Sequence, residues 1–500
     1  MITLLIHQNT YAQLVNASVS GKLTDTSGEF LIGAQILVKN ELTGFTASTV
    51  TGITGNYLIS QIPLGNNYTV TASYLGFGSK AITGITLNQG DNIKLDFVLS
   101  EQATELGEVS VIANSITNSL DRLGSSTAVS SKDMSTLPVN GRNFNSLVDL
   151  SPVSNGNSLL GQLFSSTNYT IDGMTNRSPL SSGSTNRGPF SISMEAIREF
   201  EVMTNDYDVT NGRSGGGIIS AVTKTGTNRV EGSAFLYNRA DWLASKYDIR
   251  GNLRNNEFAI QQYGVTLGGP IIKDKLHYFV AYDGQRDAQP LFIADLQTPE
   301  DEVRFNVSRQ SLDRYLQIAR SKYGVAESPQ TGSFDKLRYS HTAFARLDYQ
   351  VNSKNLLTVR NNFSWDLNSQ GVNDNTSINL YEVYGDHLST ANSLMASLRT
   401  VLAPNLTNEL KLQYLYTLDD GRPSSQLPSE NIPRAIVQNV QSQVNDRTVN
   451  TNIQLGGQRY LPERFESNVY QLVNNLYYNK GKTNYTFGVD MLMNKLSSLA

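Results

Sequence analysis

The residues best suited to chemistry in this 500-residue chain do not assemble into a reactive constellation. Its four histidines, His7, His277, His341 and His387, are scattered. None completes the H-E-x-x-H spacing that seats a metal beside a general base. No G-x-S-x-G elbow offers a nucleophilic serine. Carboxylates are plentiful, but no pair is set apart for acid and base roles. Cysteine is absent, which removes disulfides and thiolate metal sites. The expectation is therefore no enzyme, no metal and no cofactor.

The stretch with the most unusual backbone demands is residues 201–228, EVMTNDYDVTNGRSGGGIISAVTKTGTN. It starts as a strand, breaks at Asn211-Gly212 and crosses Gly215, Gly216 and Gly217. It resumes as the β-branched run Ile218 to Thr223 and ends on the turn signal Thr225-Gly226. A phosphate loop needs Lys-Ser/Thr at fixed spacing opening a helix, and here a strand follows, so nucleotide binding is not expected. Glycine tolerates angles and approaches that a side chain forbids. Three in a row before an apolar strand predict a tight corner in a crowded space.

Composition narrows the partners. Lys plus Arg number 40 and Asp plus Glu 44, a net charge of −4. No basic footprint for nucleic acid results. Hydrophobic residues are 39% of the chain, with 24 Tyr and 18 Phe. No apolar run approaches the ~18 residues of a membrane helix. A membrane β-barrel escapes that test, because its strands alternate apolar and polar residues. The opening residues 1–17 hold a short apolar patch, Ile2 to Ile6, without a basic start. They read as a signal-peptide remnant or a disordered start.

Such alternation dominates residues 229–500. Leu276, Tyr278, Val280 and Tyr282 alternate with His277, Phe279, Ala281 and Asp283. Leu357, Val359, Phe363 and Trp365 alternate with Thr358, Arg360, Asn362 and Ser364. Leu410, Leu412, Tyr414 and Tyr416 alternate with Lys411, Gln413 and Thr417, and Tyr485 to Met493 repeat the pattern. Successive strand side chains point to opposite faces, so each segment has an oily and a wet side. Segments of about 10 residues cross a bilayer when tilted. Unsatisfied backbone groups in lipid are costly, so such strands must close into a barrel. About nine candidates follow Arg229, against 22 in plugged transporter barrels. The expectation is the first part of an antiparallel transmembrane barrel that continues in a longer protein. Two long inserts, residues 287–337 with a helical piece at 311–323 and residues 419–464, are expected to face outside, since such barrels keep short turns on the periplasmic side.

Ahead of the barrel, residues 18–99 show short β-rich runs with turns every ~8 to 12 residues, the spacing of a β-sandwich. Residues 100–114 leave it through Glu105, Leu106, Gly107, Glu108, Val109, Ser110, Val111, Ile112 and Ala113. By its residues this segment is either a linker or a strand able to add to a partner's sheet edge. Residues 115–228 contain Asn140-Gly141-Arg142, Asp172-Gly173 and the glycine stretch, with a Ser/Gly/Asn-rich loop at 178–188.

These motifs carry a resemblance. Gly21…Asp25…Gly28, Thr54-Gly55-Asn56-Tyr57 and Pro63 to Val70 resemble the carboxypeptidase-regulatory-like domain, a non-catalytic prealbumin-like sandwich. Tyr169-Thr170-Ile171-Asp172-Gly173, then Ile197 to Val202, then Gly215 to Lys224 resemble the end of the plug of TonB-dependent outer-membrane transporters. Leu137 to Phe144 and the hairpin from Gln262 to Arg286 are similar to the Oar-like branch of that family. The resemblance implies a mainly β chain with four parts: the sandwich, a TonB box at 105–113, a small α+β plug at 115–228, and the barrel. It implies the outer membrane of a Gram-negative bacterium, with sandwich and plug on the periplasmic side and lipid around the barrel. It also implies active import energised by TonB with ExbB and ExbD. Relatives of the Oar-like and SusC-like kinds imply peptide, protein or glycan ligands and a surface lipoprotein lid, and the residues do not choose among them. A buried plug charge must be paired, so Glu201 and Arg213 are expected to have partners. Plugs of the family carry Tyr-Gly before the Gly-rich strand, where this chain has Thr210-Asn211-Gly212-Arg213, so the local turn is expected to differ. Two other readings remain at this point: an adhesion or carbohydrate-binding protein of β-sandwiches, and a passive porin-like barrel.

Overall fold

The computed structural model describes residues 16–101, 109–112, 125–130, 133–134, 148, 151–155, 158–162, 166–177, 192–204, 212–247, 258–372, 376, 378–423, 434–456, 461–480 and 483–499. Residues 1–15 of the expected start at 1–17, Glu105 to Glu108, Ala113, Asn140, Gly141, Arg142, the loop at 178–188 and Thr210-Asn211 of the expected turn lie outside these residues.

Eight strands build the sandwich: β1 (Ala17–Asp25), β2 (Gln35–Asn40), β3 (Thr46–Val50), β4 (Asn56–Ile62), β5 (Gly65–Ser73), β6 (Lys80–Leu87), β7 (Asn92–Lys94) and β8 (Phe97–Leu99). One sheet runs β4-β1-β7 with β8 also on β1, and the facing sheet runs β3-β2-β5-β6. Alternate residues of both sheets, among them Val19, Leu23, Ile36, Val38, Val70 and Phe97, meet in one core. Polar residues between them face out, as period-two patterning requires. β1, β2, β4 and β5 show the apolar alternation on which a sandwich reading rests, whereas the Thr- and Ser-rich β3 offers little apolar contrast.

A ninth strand, β9 (Val109–Ile112), joins the second sheet beside β6. The plug follows, with β10 (Ser125–Ser130), a small hairpin β11 (Ser154–Asn155) and β12 (Ser158–Leu159), then β13 (Thr167–Ile171), β14 (Met174–Thr175), β15 (Ile197–Thr204) and β16 (Gly217–Thr223). Its sheet has the order β10-β15-β16-β13-β14. Phe200, Val202, Ile219 and Ala221 are buried in its core together with Phe279, Ala281 and Phe344 of the wall.

Among the described residues the wall is one antiparallel sheet of nine strands: β17 (Glu231–Ala240), β18 (Ala259–Ile272), β19 (Leu276–Ile293), β20 (Gly332–Asn352), β21 (Asn355–Val372), β23 (Gly385–Ala403), β24 (Leu406–Pro423), β27 (Glu463–Lys480) and β28 (Thr483–Leu499). The sheet is open at β17 and β28 rather than closed on itself. Val265, Leu267, Val280, Leu347, Leu394 and Leu412 are exposed on the outer face. His277, Thr342, Arg360, Gln413 and Gln471 are buried on the inner one. Tyr282 stacks on His341, which packs on Trp365, on the outer face. The strands exceed the ten residues expected: β19 has 18 and β20 has 21. The excess lies toward the ends that carry the long connections, where buried and exposed positions no longer alternate strictly, so pattern reading stops short.

Tight turns join β18 to β19, β20 to β21 and β23 to β24 at the end that meets the sandwich. Long connections lie at the other end. They are not loose excursions. Helices α1 (Pro299–Phe305) and α2 (Arg309–Tyr323) pack with the small strands β22 (Ile378–Asn379), β25 (Ala435–Val444) and β26 (Arg447–Leu455). Leu312, Leu316 and Ala319 of α2 share a core with Ile378, Val383 and Ile453. Ser308 caps α2 by accepting from Ser311 N, and Gly324 ends it in the left-handed conformation at φ 67°.

Candidate functional site

The site is the contact of the plug with the inner face of the wall, built around the turn of β13 and β14. Asp172 and Gly173 both have positive φ, 52° and 78°. This is the geometry a two-residue hairpin demands and Asp-Gly supplies. The turn pushes the Asp172 carboxylate into the wall. Its Oδ1 accepts from Thr223 N at 2.9 Å, and Thr223 Oγ1 donates to Oδ2 at 3.0 Å. Arg360 of β21, wholly buried, brings Nε to 2.7 Å from Oδ2. That approach is off the line a hydrogen bond needs, so the pairing is ionic, and the directed bonds are made by Nη2, which donates to Ile171 O at 2.8 Å. Arg346 of β20 stands 3.8 Å from Asp172 Oδ1 and donates to Thr223 Oγ1 at 2.8 Å. Lys411 of β24 donates to Asp172 O at 3.3 Å.

Wall carboxylates balance these cations. Asp348 holds Arg346 through both oxygens at 2.8 and 2.9 Å and accepts from Thr225 Oγ1 of the plug exit at 2.6 Å. Glu409 pairs with Lys411 at 3.1 Å. A buried charge is tolerated only when paired and hydrogen-bonded, and this network meets that condition across the boundary. Beside it, Gln413 Nε2 donates to Thr175 O at 2.7 Å, and Thr175 N donates to Gln471 Oε1 at 3.0 Å. Strands far apart in sequence thus grip one plug hairpin.

Arg213, expected to need a partner, pairs through Nη1 with Asp490 of β28 at 2.7 Å. It is about one-third exposed, so this is a rim contact. Glu201 is buried on β15, opposite Ala128 and Ser220. The three glycines differ. A Cβ on Gly217, at φ 147°, would stand 2.7 Å from Leu159 Cδ1 and 2.9 Å from Met203 O. One on Gly216 would meet Ser166 Oγ and Gln162 Cβ, whereas Gly215 has only Ser166 Cβ at 3.7 Å. The crowded corner therefore involves two of the three. Arg177 is tied into the plug, donating to Thr167 O at 3.2 Å.

Sequence reasoning missed the sandwich's own grip. Arg399 of β23 donates to Ser60 O at 3.0 Å and covers the Phe45 ring at 5.5 Å. Thr49 Oγ1 donates to Pro404 O at 2.7 Å. On the plug side, Gln89 N donates to Glu199 Oε2 at 2.8 Å, and Gln89 Nε2 donates to Ser220 Oγ at 2.9 Å. Burial, reinforced by nearby Glu201 and Asp91, raises the Glu199 carboxyl to about 7 against the pull of Gln89 N and Arg198. No local motif marks these residues, because their partners lie 110 to 355 positions away. A cavity of about 110 Å³ remains where the three parts meet, lined by Phe45, Tyr68, Asp172, Arg346, Arg399 and Glu409 among others.

Comparisons with known proteins fit this architecture. Residues 18–100 match the carboxypeptidase regulatory-like domain, and residues 222–305 and 330–500 match the outer membrane beta barrel domain. The chain is 30% identical over 294 residues to the TonB-dependent transporter Oar of Myxococcus xanthus, covering 52% of this chain and 26% of that protein. The chain thus spans about a quarter of the length of that relative. In fold it is similar to the outer membrane transporter YddB of Escherichia coli, with TM-score 0.51 and 15% identity over 74% of this chain and 48% of that one. With half of its residues in the barrel match and the wall's oily outer face around a seated plug, the chain belongs to the outer membrane beta barrel family and is a protein of the Gram-negative outer membrane.

Proposed function

We propose that this chain forms the sandwich, plug and first wall strands of a TonB-dependent transporter that imports a ligand across the outer membrane. The observation that carries the reading is the Asp172 turn, gripped from β20, β21 and β24 by Arg346, Arg360 and Lys411. A passive porin has no use for a folded domain fixed against its inner face by buried charge. An adhesive protein of β-sandwiches has no use for the oily outer wall. Import through a plugged barrel requires work on the plug, and the segment of residues 105–113 is the handle in this reading, pulled by TonB with ExbB and ExbD. The ligand class, peptide, protein or glycan, and a lipoprotein lid belong to the outer end, where the lobe of α1, α2, β22, β25 and β26 is met first.

Two measurements test this in the full-length protein. In planar bilayers the intact protein passes little current, and deleting residues 115–228 opens a channel; high conductance of the intact protein would favour the porin. Deleting residues 105–113 abolishes capture by the immobilised periplasmic domain of TonB. Unchanged capture would remove TonB energisation from the account.

A further inference from the structure

We propose that residues Val109–Ile112 are stored as an edge strand on the chain's own sandwich, and that the periplasmic partner must peel them from β6 to take hold. This rests on the reading of residues 105–113 as the partner's handle. The pairing is parallel, with Lys80 opposite Val109, Ala81 opposite Ser110, Ile82 opposite Val111 and Thr83 opposite Ile112. A parallel neighbour needs a crossover. Here the chain leaves β6, adds β7 and β8 to the opposite sheet and then returns.

The return is guided. Phe77 bridges Glu101, and Gly78 N donates to Ser100 O at 3.0 Å, so the sandwich's exit is fixed next to the start of β6. A short tether from that point keeps the segment at an effective concentration on the order of millimolar. Storage also answers a hazard. Without β9, the outer edge of β6 would present unpaired backbone groups to any passing strand.

The storage is limited by β6 itself. At Gly84, φ is +77°, and the register with β5 shifts between Tyr68 and Val70, opposite Ile85 and Ile82. Pairing with β9 stops at Thr83, immediately before this bulge. Among the described residues β6 thus offers four pairs, and the bulge at Gly84 bars a straight ladder beyond Thr83. A partner with a straight sheet edge can pair with all of residues 105–113, more than twice as many. Exchange then runs toward the partner, while in its absence the handle stays covered. It also orders events. While β9 is on β6, a pull loads the sandwich, which Arg399 and Gln89 tie to wall and plug. Only after release does tension pass to residues 113–124 and the plug.

These 500 residues hold no cysteine, so with any cysteine elsewhere in the full-length protein replaced by serine the double variant Ile82→Cys/Val111→Cys holds a single possible intrachain disulfide. The full-length protein is purified in detergent and oxidised, and capture by the immobilised periplasmic domain of TonB is compared before and after reduction. The single-cysteine variants serve as folding controls by heat-modifiable migration. The expected result is high disulfide yield, capture weakened ~10-fold or more when oxidised, and recovery on reduction. Absence of the disulfide in the folded double variant overturns the stored strand. Capture as strong or stronger when oxidised overturns the peeling step, since the partner then adds to the free side of β9. If neither reduced nor oxidised protein nor the parent chain is captured, the handle reading fails, and the peeling proposal with it.

Discussion

The carboxylate of Asp172, at the tip of the plug's Asp-Gly turn, lies 2.7 Å from the guanidinium Nε of Arg360, a wall residue with no solvent exposure of its side chain. The same guanidinium donates to the carbonyl of Ile171 and to Gln413 Oε1, so one wall arginine reads both the backbone and the charge of the turn. Removing one member of a buried pair leaves the other uncompensated and costs about 3–5 kcal/mol. Arg360→Ala should loosen the plug and raise bilayer conductance, with Asp172→Asn in the same direction but smaller. In Asp172→Asn the turn keeps its shape and the Thr223 N–H bond to Oδ1, while the amide nitrogen in place of Oδ2 no longer accepts from Thr223 Oγ1. Parental conductance in Arg360→Ala would show that the pair does not hold the plug.

The sandwich–plug contact should depend on pH through Glu199. Its carboxyl is raised from 4.5 to about 7 by burial. Below 4.5 both the docked and the exposed group are protonated, and the contact has its full strength. Between 4.5 and about 7 the exposed group loses its proton while the docked one keeps it, so docking weakens as pH rises and levels off above 7. The full span corresponds to roughly 3 kcal/mol. Hydrogen exchange of the Gln89 amide should therefore quicken from pH 5 to pH 8 beyond the ordinary base-catalysed rate. Glu199→Gln should flatten that excess; an unchanged excess would assign it to another group.

Glycine substitutions separate the three neighbours. Gly217→Ala places a methyl against Leu159 and Met203 O at a φ that side chains rarely adopt. The cost should be about 1–3 kcal/mol. Gly215→Ala meets only ordinary contact and should be close to neutral. Protease sensitivity of the plug in the refolded protein is the measurement, and equal sensitivity of both variants would contradict the packing described.

Arg213→Ala removes a bridge to Asp490 that is one-third exposed at each end. Such pairs contribute about 0–1 kcal/mol. Plug retention should be nearly unchanged, in contrast with Arg360→Ala. Arg399→Ala should instead free the sandwich from the wall, seen as faster proteolysis between sandwich and plug at constant barrel migration.

Much of the fold is written in local pattern, because β-strands half in oil and half in water advertise themselves by alternation. Leu276 to Asp283 and Leu410 to Thr417 sort onto outer and inner faces as their period requires. The Asp-Gly pair at 172 and the glycines before Ile218 announce backbone conformations that other residues resist. The segment at 109–112 reads, from its residues alone, as either a linker or a strand. What alternation cannot convey is which wet residue faces what. Arg346, Arg360 and Lys411 look like any inward polar position until the turn at Asp172 is laid on them, from 174 to 239 residues earlier in the chain. The packing of α1, α2, β22, β25 and β26 into one lobe was hidden for the same reason, its core being shared among three connections. Whether the strand at 109–112 is free or held, and that Gln89 and Arg399 fasten the sandwich, follow from long-range juxtaposition. Local sequence fixes backbone preference and polarity, whereas partnership between distant residues exists only once the chain has closed upon itself.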